Sequence, residues 1–203
     1  MINTVVFDLG NVLIDFNYSP AAKRISSSSD KNVQEIYDYF FNSEVTGLFE
    51  EGLITADVFF ERVKKGLNLR LNFKEFLSVW NEVFFLSQKN LEVYHIIRKL
   101  KSAYTVALLS NTNVLHFDYL HKTFPVFDIF DHLLLSYELK LKKPDPKIYQ
   151  KSVELLKAIP QEIFYTDDRP ELIEQAKGLG WHAFVFKGTA QLKEDLRRSG
   201  ILL

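Results

Sequence analysis

Thr4-Val5-Val6-Phe7-Asp8-Leu9-Gly10-Asn11 is the stretch on which the reading of this chain turns. Its β-branched and aromatic residues predict a short buried strand over Thr4 to Leu9, ending at Gly10. Asp8 stands where that strand gives way to loop. Alone, it reads as an acid capping a turn. The segments that follow other strands change that reading.

Outward from Asn11 the pattern becomes helical. From about Pro20 to Lys101 the periodic segments have helical spacing. Val33, Ile36, Tyr37 and Phe40 recur at i, i+3, i+4 and i+7, and Phe60, Val63 and Leu67 make a second stripe. Phe73, Phe76, Leu77, Trp80 and Phe84 make a third, with Asn72 and Glu75 placed as a capping pair. The stripes read as helix-bundle core, with Trp80 and the neighbouring phenylalanines as second-choice candidates for a pocket wall. Ser26 to Ser29 reads as a turn or a helix start. A helix carrying Val93, Ile96, Ile97 and Leu100 closes the stretch.

Beyond it, short apolar runs alternate with amphipathic ones. Thr105 to Leu109, His132 to Leu135, Ile163 to Tyr165 and Ala183 to Phe186 read as strands. Tyr149, Val153 and Leu156 form one helical face, with Asp145 and Pro146 suited to its N-cap and first turn. Leu172, Ala176 and Leu179 form another, and Trp181 after Gly180 reads as packing at a strand start. Strands alternating with helices predict an α/β fold, a doubly wound parallel sheet covered on both faces and joined by the first strand. The core domain is expected over 1–14 plus 102–203. Residues 15–101 form an inserted helical domain, its last helix packing back on the core.

In such a sheet, ligands bind at the carboxyl edge of the strands. There the strands end in Asp8-Leu9-Gly10-Asn11, in Ser110-Asn111-Thr112-Asn113, in Ser136 leading to Lys143-Pro144-Asp145-Pro146, and in Thr166-Asp167-Asp168-Arg169. Four distant segments bring an acid, a hydroxyl with amides, a lysine and an acid pair to one edge. A carboxylate can attack phosphorus and split one hard hydrolysis into two easier steps. A hard cation then neutralises nucleophile and phosphate together, and Asp8 and Asp168 suit magnesium. A lysine and a short hydroxyl hold the phosphate oxygens. Taken singly, each feature has a bland explanation: a solvated lysine-rich face for Lys140, Lys142 and Lys143, a strand-closing Ser110, helix caps for Asp167 and Asp168.

Through these residues the chain resembles the haloacid dehalogenase-like superfamily over nearly its whole length. Asp8 matches the nucleophile position, Ser110 the second motif, Lys143 the third, and Asp167 with Asp168 the acidic fourth. The strings around them look like a phosphatase-rich subgroup related to sugar-phosphate phosphatases, and the helical stretch lies where members carry a cap. The resemblance implies a Rossmann-like core, an aspartyl-phosphate on Asp8 and hydrolysis of a small phosphate monoester. It implies magnesium (Mg2+) on Asp8, the Gly10 backbone carbonyl and Asp168, with Asp167 on the metal or just behind it. Ser110 and Lys143 would bind phosphate, and Asn111 would contact phosphate or leaving group. Many members place a second acid two residues after the nucleophile, where this chain has Gly10. General acid–base help is worth about 10² to 10⁴ in rate, a small part of what phosphoester hydrolysis needs, so a slow or selective phosphatase is expected. Asp15 is a candidate substitute acid, though a solvated loop residue is the plainer reading.

Composition sets the outer bounds. The 203 residues are 47% apolar and 25% charged, with a formal charge of −1 and no cysteine. That leaves no electrostatic case for nucleic acid or anionic membrane, and no disulfide, thiolate–metal site or cysteine nucleophile. No apolar run is long enough to span a membrane and no secretory signal is visible, so a cytoplasmic monomer or homodimer is expected. The histidines show no metal-ligand spacing. The alternatives are a metal-independent dehalogenase of the same superfamily, against which the acid pair argues, and a non-catalytic phospho-ligand-binding or regulatory relative.

Overall fold

The computed structural model describes residues 1–202 and begins with strand β1 (Thr4–Phe7), all four residues of which are buried. A two-residue strand β2 (Asp15–Phe16) leads into five helices: α1 (Tyr18–Ser26), α2 (Val33–Asn42), α3 (Glu44–Glu50), α4 (Ala56–Gly66) and α5 (Phe73–Asn81). Strand β3 (Phe84–Phe85) then pairs antiparallel with β2. After α6 (Gln88–Leu100) come β4 (Thr105–Ser110), α7 (Val114–Thr123), β5 (His132–Leu135) and the single turn α8 (Ser136–Leu139). The chain ends with α9 (Pro146–Leu156), β6 (Ile163–Asp167), α10 (Pro170–Gly178), β7 (His182–Val185) and α11 (Thr189–Arg198).

The main sheet has the order β5-β4-β1-β6-β7, every pair parallel. From β1 at its centre the chain builds outward on one side through β4 and β5, then crosses to β6 and β7. Asp8 therefore follows the strand at the topological switch point, where the diverging loops leave a crevice. Alternation sorts the core into two layers, because successive side chains on a strand face opposite sides. Val5, Phe7, Val106, Leu108 and Phe164 pack on one face with Val93, Ile96, Ile97 and Leu100 of α6 and Leu192 and Leu196 of α11. Val6, Ala107, Leu109, Tyr165 and Ala183 pack on the other with Ile148 and Tyr149 of α9 and Ile173 and Ala176 of α10.

A third apolar cluster belongs to α1 through α5, built on Ile36, Phe49, Phe59, Phe76 and Trp80. Its helices start where their sequences satisfy the free N–H groups. Asn32 with Glu35 and Asn72 with Glu75 form reciprocal capping boxes at α2 and α5. Asp145 caps α9 with Pro146 in the first turn. Among the described residues no helix is long and apolar enough to cross a membrane.

Local structure departs from the sequence reading at Phe84 and at α7, and decides between two readings at Ser26 to Ser29. Phe84, assigned to the third helical stripe, lies in β3: α5 stops at Asn81, and the chain turns to pair Phe84 with Phe16. Of the two readings of Ser26 to Ser29 the structure has the turn, which follows the end of α1 and is fastened by Ser29 Oγ to the Leu67 carbonyl. Helix α7 was not anticipated, although Asn113, noted only as part of a site string, is its N-cap.

Candidate active site

The register of the sheet makes the first contact. Phe7 stands beside Thr166 of β6 and Leu108 of β4. One step further along, Asp8 comes alongside Asp167 and Leu109. Two carboxylates are thus forced together at the buried end of a parallel pair, which needs a cation between them. Lys143 supplies it. Its Nζ lies 2.6 Å from Asp8 Oδ1 and 2.7 Å from Asp167 Oδ2, and it also donates to the Leu109 carbonyl at 2.9 Å and Tyr165 Oη at 3.2 Å. Of the three neighbouring lysines only Lys143 is buried, at 3% exposure. Burial alone would lower its pKa, but the charges of Asp8 and Asp167 outweigh that and hold it firmly protonated.

The two acids respond differently. Burial and then the charge of Asp167 push Asp8 well above the usual carboxylate range, against the pull of Lys143. Asp167 is buried too, yet Lys143, Tyr165 and the Arg169 N–H overcome desolvation and lower it. Tyr165 Oη donates to Asp167 Oδ2, and Arg169 N–H to Asp167 Oδ1 at 2.9 Å. Both oxygens of Asp167 are therefore committed. Asp168 has one oxygen held by Asn11 Nδ2 at 2.8 Å, and burial raises its pKa. Asp8, Asp167 and Asp168 each offer an oxygen within 4.8 Å of the others, a set of hard donors of the kind that holds a divalent cation.

Ser110, the last residue of β4, is 2% exposed and lines the same cavity. Asn111 lies there as well, but its amide clamps the backbone of Lys143. Asn111 Nδ2 donates to the Lys143 carbonyl and Oδ1 accepts from the Lys143 N–H, both at 2.8 Å. Asn11 and Tyr165 are the polar neighbours that sequence reasoning did not single out. Asn11 is the last residue of the first strand-end motif. Tyr165 had a signal in strand parity, since it is two residues before Asp167 and shares its side of β6.

At Gly10 a side chain would crowd the Phe16 ring. A Cβ there would lie 3.0 Å from the Phe16 ring and 3.9 Å from Asp8 Oδ2. Asp15 is no free acid: Lys89 Nζ lies 2.6 Å from its Oδ1, and hydrogen bonds from Lys89, Ser87 and Asn90 hold its pKa below the usual value despite burial.

Above this edge the helical unit encloses a cavity of about 940 Å³. Phe16, Tyr18, Phe40, Phe41, Trp80, Phe84 and His116 give it aromatic walls, so several aromatic residues read first as core also face the site. His116 packs on Trp80 with ring centroids 3.9 Å apart. Glu50 lines the opening from the helical side, and burial pushes its pKa up.

Comparison with known proteins agrees with this arrangement. Over 202 residues the chain is 28% identical to D-ribitol-5-phosphate phosphatase of Bacteroides thetaiotaomicron, covering 97% of both chains. Over 176 residues it is 23% identical to the sesquiterpene phosphatase of Aspergillus oryzae, covering 86% of this chain and 85% of that one. A wild-type enzyme from B. thetaiotaomicron, solved as its complex with magnesium and inorganic phosphate, superposes with a TM-score of 0.82 at 29% identity, covering 92% of this chain and 95% of that one. The haloacid dehalogenase-like hydrolase model matches residues 2–180. Carrying that match through the fold and all four strand-end motifs, the chain belongs to the haloacid dehalogenase-like hydrolases.

Proposed function

We propose that this protein is a magnesium-dependent phosphatase that hydrolyses a small phosphate monoester, with Asp8 as the nucleophile. One observation carries the reading: a buried lysine ties Asp8 to Asp167 beside Asp168, at the floor of a cavity large enough for a metabolite. Lys143 fixes Asp8 through Oδ1, which leaves Oδ2 without a hydrogen bond and available to attack phosphorus. The P–O bond to the leaving group breaks as the Asp8–phosphorus bond forms, and water then hydrolyses the acyl phosphate. Ser110 binds a phosphate oxygen, Lys143 sets its positive charge beside the phosphate while holding Asp8, and Asn111 keeps Lys143 in place.

The donor set fits magnesium. Asp168 keeps an uncommitted oxygen, and with the Gly10 backbone carbonyl and Asp8 Oδ1, the oxygen that does not attack phosphorus, it would hold the ion. Asp167, with both oxygens committed, stands behind them. When bound, magnesium offsets the mutual repulsion of carboxylate and phosphate and the charge that develops in transfer. The helical unit over residues 15–101 is read as the cap, with α6 in the core layer. The natural setting is read as cytoplasmic, with no nucleic-acid partner and the chain as monomer or homodimer.

Because Gly10 offers no acid to protonate the leaving group, turnover depends on how readily that group departs. A screen of phosphate metabolites with magnesium, with EDTA and Asp8→Asn as controls, tests the activity. Turnover that persists in EDTA counts against it. For the leaving group, rates across aryl phosphates of graded acidity should fall steeply as the phenol becomes less acidic; a flat series removes the role given to Gly10.

A further inference from the structure

Glu50 is a carboxylate that the chain leaves without a donor. It is the last residue of α3 and lines the cavity, yet among the described residues nothing donates a hydrogen bond to its side chain. The nearby cations are turned elsewhere: Lys142 pairs with Glu51 at 3.8 Å, and Arg169 with Glu171 at 2.6 Å. Glu50 is part-buried, so water reaches its carboxylate in the empty cavity, and a bound ligand can take the place of that water.

Its backbone is anchored to the phosphate-holding loops. Ser136 Oγ lies 2.6 Å from the Glu50 carbonyl and accepts the Thr112 N–H at 2.9 Å, two residues from Ser110. Lys140 Nζ donates to the Gly52 carbonyl at 2.6 Å. Glu50 thus lines the same cavity as Ser110 and Asp8, on a segment tied to the loops of the sheet edge. Beside it, Tyr18 and Phe41 meet edge to face at 4.8 Å, and Phe41 stacks on Tyr37 at 4.2 Å, making an aromatic ledge. An acceptor for hydroxyls next to flat apolar faces matches a molecule with hydroxyls on a C–H skeleton.

Resting on the phosphatase reading, we propose that Glu50 is the specificity residue for the leaving group. Its carboxylate accepts hydrogen bonds from the hydroxyls of a phosphorylated polyol or sugar and disfavours apolar leaving groups. An apolar group pressed against Glu50 would strip its water and return nothing, whereas vicinal hydroxyls replace that water.

The test is kcat/KM with saturating magnesium for polyol phosphates, sugar phosphates and p-nitrophenyl phosphate, in wild type, Glu50→Gln and Glu50→Leu. Glu50→Leu should lose roughly 10²-fold on the preferred polyol or sugar phosphate and stay within about threefold on the aryl phosphate. Glu50→Gln, which keeps one acceptor oxygen, should fall between, and as the near-isosteric change it carries the test if the leucine variant melts early. Equal losses on both substrate types overturn the proposal. So does a Glu50→Gln loss in kcat that grows with leaving-group pKa, which marks a proton donor instead. Wild-type turnover of the aryl ester without any polyol or sugar phosphate defeats the role of Glu50 alone. Turnover of neither ester defeats the phosphatase reading itself.

Discussion

The floor and the walls of the cavity are built on opposite terms. On the floor, polar groups are locked to one another: Lys143 to two acids, a carbonyl and a phenol, Asp168 to Asn11, and Asn111 to the Lys143 backbone. On the walls they are not. Glu50 has no donor, and the buried Trp80 Nε1 and His116 Nε2 have no hydrogen-bond partner. A locked floor suits chemistry in which charge must meet preset groups without reorganisation. Unpaired groups on a wall suit recognition, where the ligand completes the hydrogen bonds.

The sharpest way to break this contrast is at the nucleophile. Asp8→Asn keeps the shape and the contact with Lys143 but removes the attacking charge. Activity should fall by about 10⁴-fold or more with magnesium saturating, read as initial rates on the preferred ester. If the amide variant works at wild-type speed, the floor is not where the chemistry occurs.

Lys143→Met comes next, because it tests whether the floor is held by charge. It leaves Asp8 and Asp167 facing one another, and removing one partner of a buried pair costs about 3–5 kcal/mol. Activity should drop about 10²- to 10³-fold. Adding Asp167→Asn should restore much of the stability, seen in urea melts, and none of the activity. Stability that does not recover in the double variant would show that Lys143 packs more than it neutralises.

The same contrast explains what was legible. The floor could be read because each of its parts follows a strand, and a parallel sheet gathers strand ends at one edge. Strand order brings the strings holding Asp8, Ser110, Lys143 and Asp167 with Asp168 to one edge of the doubly wound sheet, and the superfamily resemblance, more than spacing, singles out Lys143 from its lysine neighbours. The walls could not be read so. Phe76 and Trp80 lie on one helical face, and periodicity cannot say that Trp80 reaches the cavity while Phe76 stays within the bundle. Phe84 shows the limit most plainly. Its spacing continued the α5 stripe, but pairing with Phe16 decided its fate, and that pairing joins residues 68 apart in sequence.

A finer probe of the floor is Asn11, whose amide steadies Asp168. Asn11 has a positive φ of 56°, so glycine, which accepts that backbone, is the substitution that removes the amide without adding strain. Asn11→Gly should raise the magnesium needed for half-maximal activity by about 10- to 100-fold with kcat at saturating metal much less affected. An unchanged magnesium requirement would mean that Asp168 is held by the fold alone.

The smallest effect belongs to the walls and appears in stability rather than rate. Asn113 caps α7 through Oδ1, accepting the His116 N–H at 3.0 Å, so its amide nitrogen faces His116 Nδ1 at 3.2 Å. An amide nitrogen can only donate, so Nδ1 accepts and the ring proton sits on Nε2. The ring is neutral, and burial depresses its pKa from 6.5 to about 3. Above pH 6.5 neither folded nor unfolded chain protonates it, and its contribution to stability is complete. As the pH falls below 6.5 the unfolded chain takes up the proton and the folded one does not, so stability declines through the window down to about pH 3. By pH 5.5 the loss from this one group should be roughly 1.4 kcal/mol, since one pH unit between the two pKa values is worth about that much. His116→Phe keeps an aromatic ring against Trp80 and has nothing to titrate. Its urea stability, relative to wild type, should therefore improve by that amount between pH 7 and pH 5.5. Parallel pH curves for the two proteins would mean that His116 is already open to solvent protons, and the wall is wetter than its packing implies.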